Sequence, residues 1–474
     1  MGLDEHKNRQ PEKSLLFKTV QEHWLSFKAM FESSTHSLPK YVCQEFEAFL
    51  RCGIWAYGFL RLKCDTCSAA KAVAFCCKKR GFCPSCGGRR MAEYAAHLTD
   101  AVLPKVPLRQ WVISVPIPLR YWMNTNPKLQ SQVLKIITTV IGKYYRKSTS
   151  MQNMSAAVTL VQRFGSSLNL NLHFHILFTE GTFDKQAKFS GSPGPSDEQT
   201  LEILKTIRNK VIVLLKKQNL IPQNDDEAPP ESYEDNLIDQ LNAGSITHTI
   251  VLGERAGQKV ERQGHNYWGS EPQFVAIKAP KCVYVSGFSL HANTHLRAND
   301  DKGRERLCRY ITRPPLSLER LDEFQGKLRY KLKTPWADKT THLVFKPLVL
   351  IEKLVALIPR PRIHLLIYHG ALSPNAKIRS KIIPQPEKVE PKVDIVKKGR
   401  GKGKKKYYTW AELLKRVFEI DVTKCLCGGT LKIKEAILDT ETMREVLGEL
   451  GIGLSPPPQF FASTFRSNTN FDFA

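Results

Sequence analysis

The chain has 474 residues, 42% of them hydrophobic, which is enough to bury a large core and to form about two to four domains. It carries 71 Lys and Arg against 45 Asp and Glu, a formal net charge of +26. Such an excess attracts polyanions, so we expect nucleic acid as the partner. The polar start and the lack of an apolar stretch of about 18 residues argue against a signal peptide and a membrane span, so we expect a cytoplasmic protein.

The N-terminal part predicts helices followed by a zinc site. Residues 14–60 carry helical periodicity. Two CxxC pairs follow, fifteen residues apart, and this spacing is typical of zinc ribbons. We expect four thiolates to hold one structural Zn²⁺, and Cys76 or Cys77 could replace one of them. The expected ligands are Cys64, Cys67, Cys83 and Cys86.

An α/β region is predicted from about residue 105 to 380. The segments "RQWVISVPI" and "SAAVTLVQRFG" read as strands, and Gly165-Ser166-Ser167 turns the second into another strand as a hairpin. "QTLEILKTIRNKVIVLLKKQ" is an amphipathic helix. The acidic "QNDDEAPPESYEDN" is predicted to be a surface loop.

The strand that contains "NLHFHILF", residues 171–178, places two histidines on one face. Strand residues alternate between faces, so the apolar residues point one way while His173 and His175 point the other. Two such imidazoles can bind one metal ion with a third ligand from a neighbouring element. Gln162, on the paired strand, and His291, in "SLHANTH", are both candidates. Alternatively, the histidines are half-buried residues bonded to backbone carbonyls.

The segment that follows supplies a candidate nucleophile. "KCVYVSGFSLHANTHL" is predicted as a further strand, and the next helix can be capped by Asn299 or Asp300 and must end at Pro314. On this helix Tyr310 lies among cations at three- and four-residue spacing, which could hold phosphate oxygens. These cations are Arg306, Arg309 and Arg313.

Metal, tyrosine and positive charge together indicate one chemistry. A divalent ion on the histidines would polarise a scissile phosphate, and the Tyr310 oxygen would attack it in line. The expected product is a 5′-phosphotyrosine with a free 3′ hydroxyl. Because the link conserves the phosphodiester energy, another 3′ hydroxyl could resolve it without ATP.

The chain resembles the rolling-circle transposases of the insertion-sequence-ninety-one type, including the common-region elements. They belong to the HUH endonuclease superfamily, named for two histidines flanking a hydrophobic residue, here His173-Phe174-His175. The resemblance covers most of residues 40–380. It rests on "RCGIWAYGFLRLKCDTC", "GFCPSCGGRRM", "VQRFGSSLNLNLHFHILFTEGTF", "FSLHANTHLRANDDKGRERLCRYITRPPLSLERL" and "KTPWADKTTHLVFKPLVLIEKLVALIPRPRIHLLIYHG".

The resemblance implies a fold, a metal and a division into domains. We expect an α+β HUH core, a central antiparallel sheet flanked by helices, preceded by a helical and zinc-ribbon-like DNA-binding module. Mg²⁺ or Mn²⁺ is the implied catalytic ion, although imidazoles alone would suit a softer one. The partners would be single-stranded element ends and target DNA in the bacterial nucleoid. The expected domains are 1–104, 105–385 with a variable insertion at 184–280, a basic flexible linker at 386–409 that includes "KKGRGKGKKK", and 410–474.

The resemblance also assigns roles near the nucleophile. The tyrosine ahead of the Arg-Pro-Pro segment is the family's nucleophile, which maps onto Tyr310. Members with two catalytic tyrosines carry the other one four residues earlier, and here that position is Arg306. This difference indicates an enzyme with a single catalytic tyrosine.

Two alternative functions and the role of one cysteine pair remain open in the sequence. A plasmid rolling-circle replication initiator or relaxase would share the chemistry, and a non-catalytic zinc-ribbon DNA-binding protein would share the zinc and the charge. Near the C-terminus, Cys425-Leu426-Cys427 offers at most two ligands. We therefore expect either no zinc there or one that distant residues complete.

Overall fold

In the computed structural model, the described residues are 10–33, 36–222, 236–263, 275–384, 409–418 and 421–453. Residues 223–235 of the acidic segment and all of the basic run at 397–406 lie outside them, and so do the expectations attached to both. No helix in the described ranges is long and apolar enough to cross a membrane.

The described residues form twelve α-helices and sixteen strands. The helices are α1 (Leu15–Glu32), α2 (Lys40–Arg51), α3 (Pro84–Ala101), α4 (Ile117–Thr125), α5 (Pro127–Ser148), α6 (Asp197–Lys217), α7 (Leu237–Thr247), α8 (Asp301–Thr312), α9 (Pro347–Leu357), α10 (Arg379–Ile382), α11 (Trp410–Phe418) and α12 (Thr440–Glu449). The strands are β1 (Phe59–Cys64), β2 (Ala70–Ala74), β3 (Leu108–Ser114), β4 (Met154–Phe164), β5 (Leu170–Phe183), β6 (Phe189–Gly191), β7 (Glu261–Gln263), β8 (Val275–Ala279), β9 (Cys282–Val285), β10 (Phe288–His291), β11 (His295–Leu296), β12 (Leu321–Phe324), β13 (Lys327–Lys331), β14 (His342–Phe345), β15 (Leu366–Gly370) and β16 (Leu431–Ile437).

A nine-stranded sheet forms the centre of the fold. Its order is β15-β4-β5-β3-β10-β9-β8, with β11 paired to β3 and β6 paired to β5. Every pairing in it is antiparallel. The expected α+β class with a central antiparallel sheet is confirmed.

The two faces of this sheet are covered by different helices. On one face, Trp111, Phe174 and Ile176 pack with buried residues of α4, α5 and α6. On the other, Val158 and Leu177 pack with residues of α3 and α8. The helix α6 lies in the expected variable insertion, yet it contributes Leu204, Ile207 and Val211 to the core. The second face, under α8, is the one that carries His173 and His175.

Two hairpins set the register of the central sheet. The predicted β4–β5 hairpin is present, and Leu168 adopts a positive φ of 53° in its turn. The segment expected as one strand at 281–296 is instead divided into β9, β10 and β11. Ser286 and Gly287 have φ angles of 44° and 84°, as a tight hairpin turn requires, so the chain reverses between β9 and β10.

The N-terminal helices pack on a second sheet, of order β12-β13-β14-β7. In α1, Trp24 stacks on Phe46 of α2, with ring centroids 4.1 Å apart. Both helices share a core with α9 and with Tyr330 and Phe345 of the second sheet. This core lies beside the central sheet and supports the segment after α8.

The C-terminal segment returns to the N-terminal module. Strand β16 pairs antiparallel with β1, forming a three-stranded sheet of order β16-β1-β2. Met443 and Leu447 of α12 pack with Trp55 and Phe59. The helix α11 lies against α3, where Leu413 packs on Ala92 and Ala96.

The helix α8 begins at a capping residue that the sequence predicted. The Asp300 side chain accepts a hydrogen bond from the Gly303 N–H, at 2.8 Å, and the helix ends before Pro314. Arg304 anchors this helix, because its buried guanidinium donates hydrogen bonds to the carbonyls of Pro104 and Val106. The connection between α3 and β3 therefore holds the first turn of α8.

We predict that Arg304→Met lowers the free energy of unfolding by about 2–4 kcal/mol, because it leaves the buried Pro104 carbonyl and the partly buried Val106 carbonyl without their charged donor. The control, Arg306→Met, removes an exposed arginine from the same helix and should change stability by less than about 0.5 kcal/mol. Urea denaturation followed by fluorescence measures both. Equal effects of the two substitutions would contradict this role of Arg304.

Candidate active site and cysteine clusters

The two histidines of β5 and Gln162 of β4 direct polar atoms at one point. The Nε2 atoms of His173 and His175 are 3.2 Å apart, and Gln162 Oε1 is 3.2 Å from Nε2 of His175. The strand register explains this, because Gln162 is the direct partner of His173 across the antiparallel ladder. The structure thus brings three of the four expected metal ligands together.

Hydrogen bonds orient both imidazoles. Nδ1 of His173 donates to the Asn171 carbonyl at 2.7 Å, which leaves the lone pair of Nε2 available. Nδ1 of His175 lies 2.7 Å from the side-chain amide of Gln110. As placed, the amide nitrogen of Gln110 donates to Nδ1, so Nε2 carries the ring proton and faces the acceptor Gln162 Oε1. A metal ion on Nε2 would require the Gln110 amide to turn so that its oxygen accepts the Nδ1 proton.

Both rings are neutral in this environment. The pKa of His173 is lowered to about 4, chiefly by burial, with the positive charges of Arg313 and Arg120 acting in the same direction and the hydrogen bond to Asn171 opposing them. Burial also holds the pKa of His175 well below its usual value, with His173 and Arg313 adding to the effect. A neutral imidazole is the form that binds a metal ion.

His291 does not join this group. It pairs with Val112 of β3, which in turn pairs with His175, so it lies on the same face but two strands away. Two inter-strand spacings amount to roughly 10 Å. Among the described residues, the groups of three or more metal-binding side chains do not include His291 with the pair. Of the two candidates for the third ligand, the structure brings only Gln162 to the histidines.

Tyr310 lies beside the histidine pair and remains accessible. Its ring centroid is 6.3 Å from that of His175, the rings are nearly perpendicular, and 41% of the residue is exposed. Two cations lie over its ring: Arg313 Cζ at 4.3 Å and Lys333 Nζ at 4.5 Å from the centroid. The phenol is therefore accessible from solvent, and two positively charged side chains lie against its ring.

The arginines expected around Tyr310 differ in position. Arg313 contacts the tyrosine and also donates to its carbonyl at 2.8 Å. Arg306 is exposed, one turn away on α8, and Arg309 is partly buried. Helical spacing alone could not separate these cases, because Arg313 lies just beyond the end of the helix.

The sequence did not predict several contacts around the histidine pair and Tyr310. Lys333 follows β13 and reaches Tyr310 from the second sheet. Gln110 binds His175 from β3. The amide nitrogen of Gln162 donates to the Ile311 carbonyl at 3.2 Å, so one side chain connects the histidine pair to the residue after Tyr310. Only strand register and tertiary packing place these residues, and no motif signals them.

The residues present fit a divalent cation. Ligands about 2.1 Å from an octahedral ion lie roughly 3 Å from one another. Two spacings of 3.2 Å, from His175 Nε2 to His173 Nε2 and from His175 Nε2 to Gln162 Oε1, agree with this. Two nitrogens with one amide oxygen form a mixed donor set that suits Mn²⁺ and that Mg²⁺ can also use.

The cysteines form two clusters, and neither has the composition expected from the sequence. One comprises Cys52, Cys77, Cys83 and Cys86, and the other comprises Cys64, Cys67, Cys425 and Cys427. The expected site of Cys64, Cys67, Cys83 and Cys86 is thus wrong in its grouping, because each CxxC pair finds its partners elsewhere. Cys77 does join the second pair, and distant residues do meet the Cys425–Cys427 pair, as two of the open alternatives allowed.

The first cluster has the geometry of a zinc site. Its sulfur atoms are 3.7 Å apart for Cys52 and Cys86, 3.7 Å for Cys52 and Cys83, and 3.3 Å for Cys77 and Cys86. Four thiolates at about 2.3 Å from a tetrahedral zinc lie roughly 3.8 Å from one another, so these residues fit the ion. Cys83 is the N-cap of α3, so this cluster fixes the start of that helix.

Two family models match the chain. Residues 19–115 match a model described as "Transposase zinc-binding domain", and residues 156–380 match one described as "Putative transposase". The first range contains the whole first cysteine cluster, and the second contains the histidine pair and Tyr310. No curated protein and no solved structure is significantly similar to the chain.

The chain thus has a transposase zinc-binding domain followed by a transposase domain. The order of the two matches places this chain in the family of insertion-sequence-ninety-one type transposases, as the resemblance indicated. Transposition acts on DNA, which agrees with the net charge of +26.

We predict that Gln110→Leu weakens Mn²⁺ binding by about 10–100-fold, because His175 loses the partner that fixes its ring and tautomer. The control, Gln130→Leu, changes a buried glutamine of α5, outside the histidine group. Titration of the purified protein, followed by electron paramagnetic resonance of free Mn²⁺, measures both affinities. Unchanged binding in Gln110→Leu would show that this amide does not orient the ligand.

Proposed function

We propose that this transposase nicks single-stranded DNA through Tyr310 and joins the cut end to another strand through a 5′-phosphotyrosine, as in rolling-circle transposition. The observation that carries the proposal is the accessible Tyr310 ring, 6.3 Å from the ring of His175 and flanked by Arg313 and Lys333. A nucleophile, a metal-binding group and cations for phosphate oxygens are the parts this reaction needs.

The covalent step exchanges one ester bond for another. The Tyr310 oxygen attacks phosphorus and loses its proton, the bond from phosphorus to the 3′ oxygen breaks, and that oxygen leaves as a hydroxyl. Arg313 and Lys333 lie where they can contact the non-bridging phosphate oxygens. Attack by the 3′ hydroxyl of a second strand reverses the step, releases Tyr310 and joins the strands without ATP.

His173, His175 and Gln162 are the proposed ligands of the catalytic ion. Mg²⁺ or Mn²⁺ bound there would polarise the scissile phosphate and stabilise its developing charge. The hydrogen bonds of Asn171 and Gln110 keep the rings in position, and the Gln162 amide holds the last turn of α8 beside them. These residues would thereby set the position of Tyr310 relative to a bound ion.

A cavity beside Tyr310 supports an unpaired strand as the substrate. Its volume is about 390 Å³, and Arg313, Lys333, Arg320, Phe164 and Pro314 contribute to its lining. Aromatic and apolar surface combined with cations is the usual composition of sites that stack single bases and follow a phosphate backbone. A paired duplex would not present a free base to such a cavity.

We predict that Tyr310→Phe abolishes the covalent protein–DNA adduct while DNA binding remains, because only the attacking oxygen is lost. Single-stranded DNA from the element's own end is labelled at either terminus and analysed on denaturing gels with Mn²⁺. The adduct should form on the fragment that retains the original 3′ terminus. The control, Tyr144→Phe, alters a tyrosine on the opposite face of the central sheet. An undiminished adduct in Tyr310→Phe, or an adduct on the fragment with the original 5′ terminus, contradicts the proposal.

We predict that His173→Ala lowers the rate of nicking by about 10²–10³-fold, because the ion that stabilises the phosphate charge loses a ligand. DNA affinity should change by less than about threefold, since it arises mainly from Lys and Arg contacts to phosphates. His291→Ala is the matched control and should retain near-normal nicking. A large loss of nicking in His291→Ala, with none in His173→Ala, would contradict the proposed ligand set.

A further inference from the structure

The second cysteine cluster joins parts of the chain that lie far apart in sequence. Cys64 ends β1 and Cys67 lies in the turn before β2, while Cys425 and Cys427 precede β16. The matched zinc-binding domain ends at residue 115, so it covers only two of the four cysteines. The family match therefore does not account for this cluster.

The sulfur atoms of this cluster have zinc-like spacing. Cys64 and Cys427 are 3.5 Å apart, Cys67 and Cys425 are 3.5 Å apart, and all four sulfurs lie within 4.8 Å of one another. Tetrahedral coordination at about 2.3 Å predicts roughly 3.8 Å. The backbone N–H groups of Thr66 and Gly429 point at the sulfurs of Cys64 and Cys427, both at 3.4 Å. Such bonds stabilise thiolates, which are the metal-binding form.

The backbone around the cluster is shaped to bring the two turns together. The Asp65 N–H donates to the Thr430 carbonyl at 3.0 Å, and the Asp65 carboxylate accepts from the Thr430 N–H at 2.8 Å. A Cβ on Gly429 would lie 2.6 Å from Cys64 Sγ, so only glycine permits this approach. Gly428 has a φ of 87°, which also favours glycine.

We propose that this cluster binds a second structural Zn²⁺, shared between the N-terminal module and the C-terminal segment. The ion connects the turn between β1 and β2 to the turn before β16 and closes the three-stranded sheet. The donor set is four thiolates, the set that structural zinc prefers. Cys67 and Cys427 are exposed, so without a metal they would be free surface thiols.

The proposed zinc site also affects the position of α8, the helix that carries Tyr310. The same C-terminal segment carries α11, in which Arg416 contacts Asp100 of α3 and Glu305 of α8. The distance from the Arg416 guanidinium to Glu305 is 2.9 Å. The shared zinc therefore holds in place a segment that contacts both α3 and α8 through Arg416, and the inference does not depend on DNA cleavage.

Thiol labelling of the unmodified full-length chain tests the site. The protein, kept in a phosphine reductant so that no disulfide can protect the thiols, is treated briefly with N-ethylmaleimide and mapped by mass spectrometry. We expect Cys67 and Cys427 to react at least about tenfold faster after a zinc chelator is added, together with Cys64 and Cys425. Cys282, in neither cluster, should change little. Rapid labelling of exposed Cys67 and Cys427 before chelation would overturn the proposal.

Zinc content, measured by native mass spectrometry, provides the second readout. The parent chain should hold two zinc ions, and the double variant Cys425→Ser with Cys427→Ser should hold one. The control Cys282→Ser should hold two. A double variant that holds as many zinc ions as the parent chain would overturn the proposal. If the double variant does not fold, labelling of the unmodified chain decides.

Discussion

The side chain of Gln162 is the interaction on which the geometry of the candidate site depends. Its oxygen lies 3.2 Å from Nε2 of His175, and its nitrogen donates to the Ile311 carbonyl at 3.2 Å. The residue is 2% exposed, so water cannot readily replace either partner. One amide thereby couples the register of β4 and β5 to the last turn of α8, which carries Tyr310. A shift of that turn would separate Tyr310 from the histidines.

The zinc-binding domain also contacts the last turn of α8, through helix α3. A Cβ added to Gly87 of α3 would lie 2.6 Å from Pro314 Cβ, so α3 approaches the segment after Tyr310 very closely. The Thr312 hydroxyl also donates to the Met91 carbonyl of α3 at 3.3 Å. Because the first cysteine cluster fixes the start of α3, zinc bound there would act on the position of Tyr310. The zinc-binding domain thus supports helix α8, which carries Tyr310, and it is also a candidate DNA-binding module.

Local sequence patterns predicted individual residues of this site, whereas the residues that contact them could be identified only from the fold. Alternation placed His173 and His175 on one face, and the Asp300 cap located α8, because period-two and capping signals lie within a few residues. The cysteine grouping failed because a CxxC pair specifies two ligands and leaves the other two to tertiary structure. Cys64 meets Cys427 through the β1–β16 pairing, which no local signal encodes. The choice between His291 and Gln162 could not be made from the sequence for a similar reason, since the distance of each from the pair depends on the order of strands in the sheet.

The central claim is that Tyr310 forms the covalent bond to DNA, and mass spectrometry of the trapped adduct tests it most directly. The full-length protein is incubated with Mn²⁺ and a single-stranded element end, digested with nuclease and trypsin, and searched for nucleotide-modified peptides. The account predicts that, of the 14 tyrosines, only Tyr310 carries a 5′-linked nucleotide, on the peptide covering residues 310–320. A nucleotide attached to any other residue, with Tyr310 unmodified, would contradict it.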